Sequence, residues 1–200
     1  MHDNSRLLFL RHCRPRLRSG QRVLEIGPDA TPSSYARLTG MPGITWDTLD
    51  LEARPGLTHV ARGENEFPVG DGVYDVVLSG QVLEHVRKPW LWMREVARVC
   101  RPGGLLLTIS PVTWPYHEAP IDCWRVYPEG MRALCSDAGL LVEHCAWESL
   151  EPTAWLPRFP RPASDLAPGR LFKLMRAIRW PLQRTFDTVT IARKPAVGAA

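Results

Sequence analysis

The chain has 200 residues, of which 44% are hydrophobic and 23% charged, with a formal net charge of +4. That length fits one domain with its own core, residues 1–200, and that composition excludes a disordered or fibrous chain. No apolar run approaches the ~20 residues that would cross a bilayer. The short patch Leu7–Leu10 runs straight into Arg11, Arg14, Arg16 and Arg18, so it lacks the core of a signal peptide and the expected location is cytoplasmic. Basic residues gather in 6–18 and 158–184 without interleaved base-stacking aromatics. This argues against nucleic acid and for an anionic small molecule or a membrane surface. The five cysteines, at 13, 100, 123, 135 and 145, are scattered and show no CxxC or Cys/His ligand spacing. Neither a disulfide framework nor a metal site is expected from them, and buried free thiols are the plain reading.

The first predicted element is an amphipathic helix over 4–17. RVLEIG (22–27) follows as a strand, then a helix over 32–39 and strands at 44–51 and 58–62. YDVVLS (74–79) and GLLLTIS (104–110) are continuous apolar runs, as central strands buried on both faces should be. Between them, a helix over 87–100 begins near Pro89. It places Trp90, Met93, Val96, Ala97 and Cys100 at helical spacing and stops at Arg101-Pro102-Gly103-Gly104. A helix at 128–138 and a strand at 140–147 come next. Residues 151–183 form a proline-rich basic insertion with a candidate helix at 168–180, and a last strand spans 186–193. Alternating strands and helices predict an α/β domain with a parallel sheet covered on both faces.

Ligands in such a sheet bind outside the carboxyl ends of the strands. The motif-bearing residues fall there: Gly27, Asp50, Arg62–Asn65, Ser79–Gln81 and Pro111–Tyr116. A glycine after the first strand lets the backbone turn and approach a ligand. Asp50 follows near the ~20-residue offset at which an acid meets ribose hydroxyls. With VLEIGPDATP (23–32), LSGQVLEHV (78–86) and RPGGLLLTISP (101–111), the chain resembles a class I S-adenosylmethionine-dependent methyltransferase of the small-molecule type. The resemblance covers roughly residues 20 to 150 and the closing strand. It implies a Rossmann-like seven-stranded sheet in the order 3-2-1-4-5-7-6 with the last strand antiparallel, and S-adenosyl-L-methionine as cofactor. It places Glu25, Gly27 and Pro28 beside the amino-acid part of that cofactor. Asp50 falls on the ribose, with Asp47 as the weaker rival. Glu64 and Asn65 lie near the adenine, and Ser79, Gly80 and Gln81 near the methionine side. The family's further glycines are replaced here by Asp29 and Thr31. Glu84 and His85 read as the start of a helix, a cap and a packing pair.

The acceptor side is expected in PVTWPYHEAPIDCWRVYPEG (111–130), a turn-rich segment after the fifth strand. Methyl transfer to a hydroxyl requires in-line alignment and loss of a proton. Imidazole suits proton removal at neutral pH, so His117 is the candidate base, with Asp122 orienting it or holding a substrate hydroxyl. Trp114, Tyr116, Trp124 and Arg125 are candidate substrate contacts. A purely structural reading also stands, in which Asp122 and Arg125 pair to fix the loop above packed aromatics. The helix at 168–180 either packs its apolar stripe on the domain, closes as a lid, or touches a membrane surface peripherally. The expected activity is methylation of a small acceptor, sugar-containing or anionic. A hydroxyl of a sugar or specialised metabolite is favoured. An amine acceptor and a cofactor-binding module without transferase activity are the rivals.

Overall fold

The computed structural model describes residues 2–118, 120–152, 174, 177, 178, 185–196 and 198. Nearly all of the insertion at 151–183, with its candidate helix at 168–180, lies outside the described residues.

Strands β1 (Arg22–Ile26), β2 (Thr45–Asp50), β3 (His59–Val60), β4 (Tyr74–Gly80), β5 (Cys100–Pro111), β6 (Leu141–Glu148) and β7 (Asp187–Arg193) form one sheet in the order β3-β2-β1-β4-β5-β7-β6. Pairing is parallel from β3 through β5, and β7 runs antiparallel to both β5 and β6. This is the expected order and polarity.

Successive side chains of a strand point to opposite faces, so continuous apolar runs feed two cores. Leu24, Val77, Leu106 and Ala192 pack on one face with Trp92, Met93 and Met131. Val23, Val76, Leu78, Leu105, Leu107 and Ile191 pack on the other with Leu8, Phe9, Cys13 and Tyr35. The first face is covered by α3 (Pro89–Val99) and α4 (Pro128–Asp137), the second by α1 (Asp3–Leu8) and α2 (Ser34–Thr39).

Five local expectations need correction. The leading helix ends at Leu8 and continues as a π turn, Phe9–Cys13, and a 3₁₀ turn, Arg14–Arg16. Pro15 accounts for the change, because it has no N–H and its ring collides with the carbonyl four residues back. In α3 the buried indole is Trp92, 2% exposed, while Trp90 is 43% exposed and meets Trp124 edge to face at 6.5 Å. Cys100 and the Pro102-Gly103-Gly104 turn belong to the long strand β5 rather than to a helix end. Glu84 and His85 do not open α3 and cap nothing. They sit in a separate 3₁₀ turn, Leu83–His85, joined to α3 through Val86–Lys88. Among the cysteines, 13, 100 and 135 are buried and Cys123 is exposed, so the buried-thiol reading fails for Cys123.

Candidate active site

At the carboxyl edge of β1, Gly27 turns with a φ of 67°. A Cβ there would stand 2.4 Å from Val82 Cγ2, so only glycine permits this close passage of β1 past the turn after β4. The turn bounds a cavity of about 460 Å³ whose lining includes Gly27, Asp50, Glu64 and Gln81. Leu49, Ala61, Phe67 and Trp92 give it an apolar floor. That size and lining are ordinary for a small-molecule site.

Asp50 closes β2 with its carboxylate at the cavity. Its Oδ1 accepts from the Leu51 N–H at 2.7 Å and its Oδ2 from Arg54 at 2.6 Å, and Arg54 also donates to the Pro28 carbonyl. Each oxygen retains a second lone pair. Asp47 lies outside the cavity and accepts from Arg22 Nε at 2.8 Å and from the Tyr74 hydroxyl at 2.9 Å, tying β1, β2 and β4 together. Glu64 lines the cavity while accepting from the Arg87 N–H at 3.0 Å and from its guanidinium. Pro28, Asn65, Ser79 and Gly80 do not line it. Gly80 instead gives way to Tyr35, whose hydroxyl would be 2.3 Å from a Cβ there.

Glu25 also stands outside the cavity, 1% exposed, accepting from the Ser33 hydroxyl and from Trp46 Nε1 at 2.7 Å. It therefore braces the loop between β1 and α2. Burial pushes its carboxyl up to about 7 against the hydrogen bonds that favour the ionised form. A carboxyl raised on folding contributes stability that is complete below its unfolded value near 4.5 and is lost as pH rises through 7. Glu25→Gln should flatten that decline. The check is denaturant unfolding of both proteins at pH 5 and pH 8; an equal loss of stability in wild type and variant would contradict the assignment.

Gln81 is a non-glycine residue at a positive φ, 60°, held by Nε2 donations to Ser5 Oγ at 2.9 Å and to Asp187 Oδ1 at 3.1 Å. Such a backbone costs of order 1–3 kcal/mol and persists where surroundings over-determine it. Here Gln81 stands on a boundary. With His85 it lines both the first cavity and an abutting one of about 350 Å³. His2, Glu84, Trp114 and His117 complete the second cavity. The imidazole of His2 stacks on Trp114 at 4.8 Å and donates to Gln81 Oε1 at 3.2 Å, so the segment before α1 helps close it.

The segment after β5 is tied to the 3₁₀ turn by Cys123 N–H donating to the Glu84 carbonyl at 2.7 Å and by Trp124 Nε1 donating to Val86 O at 2.9 Å. Asp122 accepts from the His117 N–H at 2.8 Å and from both terminal nitrogens of Arg125, and this pair holds its carboxyl far below the usual range. The loop-fixing role is thus present. The same carboxylate stands 3.4 Å from His117 Nδ1, so an orienting contact coexists with it. Trp114, Tyr116, Asp122, Trp124 and Arg125 surround a third, open hollow of about 290 Å³. Tyr116 is 70% exposed and does not pack beneath the loop. Sequence reasoning missed His2, Glu84 and His85 as cavity residues; the Glu84-His85 dipeptide was the available signal.

The family described as "Methyltransferase domain" matches residues 45–108. A methyltransferase from Mycobacterium sp. (strain JLS) is 37% identical over 103 residues, 48% of this chain and 40% of that protein. One from Mycobacteroides abscessus is 38% identical over 107 residues, covering 48% and 41%. These matches support the resemblance to class I S-adenosylmethionine-dependent methyltransferases. Its matched part spans about four tenths of these curated relatives.

Solved structures agree on the methyltransferase fold. A chain of the complex between the Haloferax volcanii Trm112 methyltransferase activator and a methyltransferase superposes with a TM-score of 0.65 at 19% identity, covering 96% of this chain and 90% of that one. Phosphoethanolamine N-methyltransferase 2 of Haemonchus contortus, in complex with S-adenosyl-L-methionine, gives 0.61 at 16%, covering 96% and 52%. At these identities the likeness is one of fold. The family's cofactor fits the first cavity: glycine where backbone must pass closely, a carboxylate with free lone pairs at the end of β2, and an apolar floor for a base. Among the described residues, no helix is long and apolar enough to cross a membrane.

Proposed function

We propose that this chain transfers the methyl group of S-adenosyl-L-methionine to a hydroxyl of a small acceptor. The observation that carries the reading is the pair of abutting cavities, one bearing Gly27 and Asp50, the other His117, with Gln81 and His85 in the wall between them. When bound, the cofactor supplies an electrophilic methyl on a sulfonium. Asp50 accepts from the ribose hydroxyls, Glu64 stands near the base, and Phe67 and Trp92 exclude water from the floor. Gln81, held by Ser5 and Asp187, would stand in the wall between cofactor and acceptor.

The acceptor occupies the second cavity against Trp114. A nitrogen of His117 removes the hydroxyl proton: the Pro115 carbonyl, 3.2 Å from Nδ1, fixes the hydrogen there and leaves Nε2 its lone pair. Asp122 and Arg125 position that imidazole through the backbone and Nδ1. Arg125 spends its donors on Asp122 and on the Trp114 and Pro115 carbonyls, so anion binding by it is not favoured. Titration of the purified protein with S-adenosylmethionine and S-adenosylhomocysteine is expected to show micromolar affinity, about −8 kcal/mol. Absence of heat and of any thermal shift with both ligands would end this reading.

A further inference from the structure

Two clusters of metal-ligating side chains occur among the described residues, and they differ in what their atoms already do. In His12, His144 and Glu148, His12 Nε2 is bonded to Glu148 Oε2 at 2.6 Å, and the two rings stack at 4.7 Å. Arg11 stands 3.6 Å from the same carboxylate. That cluster is a pinned, positively surrounded contact between the N-terminal helical segment and β6.

In Glu84, His85 and His117 each side chain keeps at least one ligand atom without a hydrogen-bond partner among the described residues. Glu84 has a side chain 1% exposed, and both of its carboxylate oxygens are buried without a hydrogen-bond partner among the described residues. An ionised carboxylate buried with nothing to hold it is costly, and proteins ordinarily pair such a group or give it to a metal. His85 donates from Nδ1 to the Ile121 carbonyl, which leaves Nε2 with its lone pair, 3.7 Å from Glu84 Oε1. His117 is fixed in the same sense by Pro115 and Asp122 behind Nδ1. A carbonyl or carboxylate behind each imidazole is the usual support of a metal-bound histidine. One ligand atom from each residue lies within 4.8 Å of the others. Two ligands on one zinc, each at about 2.0–2.2 Å, stand roughly 3.3 Å apart, so a small inward movement of the three side chains completes the set.

We propose that Glu84, His85 and His117 form a site for a divalent transition-metal ion in the wall of the acceptor cavity. Two imidazoles and one carboxylate suit zinc, manganese or iron(II), with positions left open for an oxygen of the acceptor. This deepens the reading of that cavity as the acceptor site and rests on it. In the loaded protein His117 holds the ion, and a coordinated hydroxyl loses its proton to water because the ion lowers its pKa. In the metal-free protein the same nitrogen takes the proton directly.

The test is calorimetric titration of chelator-stripped protein with Zn²⁺, paired with Co²⁺ titration read by visible absorption. One ion per chain at micromolar affinity or tighter is expected. Glu84→Gln and His85→Ala should each weaken it at least 100-fold, while His144→Ala leaves it unchanged. Circular dichroism and thermal unfolding of each variant show that it is folded. Wild-type protein that takes up no ion would overturn the proposal, and so would binding that survives Glu84→Gln but is lost in His144→Ala. Metal binding without S-adenosylhomocysteine binding would remove the methyltransferase reading and leave the metal site standing; the converse would remove only the metal site.

Discussion

His117→Ala is expected to leave S-adenosylhomocysteine affinity within about twofold while lowering turnover by roughly 10² to 10⁴, the range associated with a lost acid–base group. The separation of the two effects follows from place. His117 lines the second cavity and not the first, so its removal takes nothing from the cofactor's contacts. The loss is expected whether the nitrogen takes the proton itself or holds an ion that acidifies the hydroxyl, since both need the same lone pair. Asp122→Asn should cost less, because Asp122 acts through the ring it orients and through the loop it fixes with Arg125. The measurement is S-adenosylhomocysteine release with a hydroxyl acceptor, alongside binding by calorimetry. Near-normal turnover in His117→Ala would show that the acceptor needs no proton removed there. An amine acceptor would then become the better account.

The framework was legible because its physics is local and periodic. YDVVL and GLLLTI announce strands buried on both faces, and alternation along them already specifies the two cores that Val76, Val77 and Leu78 divide between them. Strand order was available only through the resemblance, since pairing partners leave no mark on a strand's own pattern. Gly27, Asp50, Glu64 and Gln81 were legible as cavity residues because ends of parallel strands share one edge. Glu25 shows the limit of that rule: one position before Ile26 the side chain faces Ser33 and Trp46 instead. The second cavity was half legible. His117 and Trp114 were readable from a turn-rich segment dense in chemistry. Glu84 and His85 were not, because their role depends on Cys123, Ile121 and Trp124 docking on a 3₁₀ turn more than thirty residues away in sequence. Ligand spacing in sequence could not show the cluster either, since its third member comes from another loop.

Asp50→Ala is expected to weaken S-adenosylhomocysteine binding by about 2–3 kcal/mol, roughly 30- to 150-fold, through loss of a charged acceptor for ribose hydroxyls. The structure adds a complication that makes the variant more informative. Asp50 also anchors Arg54, which donates to the Pro28 carbonyl, so removing the acid releases a cation beside the Gly27 turn. Arg54→Ala separates the contributions: it frees the Asp50 carboxylate without deleting it and should leave affinity within a fewfold of wild type. Asp47→Ala supplies the contrast. Its carboxylate serves Arg22 and Tyr74 away from the cavity, so that change should lower stability while barely moving the ligand's dissociation constant. Calorimetric titrations of the three variants, with denaturant unfolding alongside, give the ranking. If Asp47→Ala weakens binding more than Asp50→Ala, β2 does not deliver its terminal acid to the ribose. If Arg54→Ala proves as damaging as Asp50→Ala, the guanidinium, through the loop it holds at Pro28, is the principal determinant of affinity on this side of the cavity.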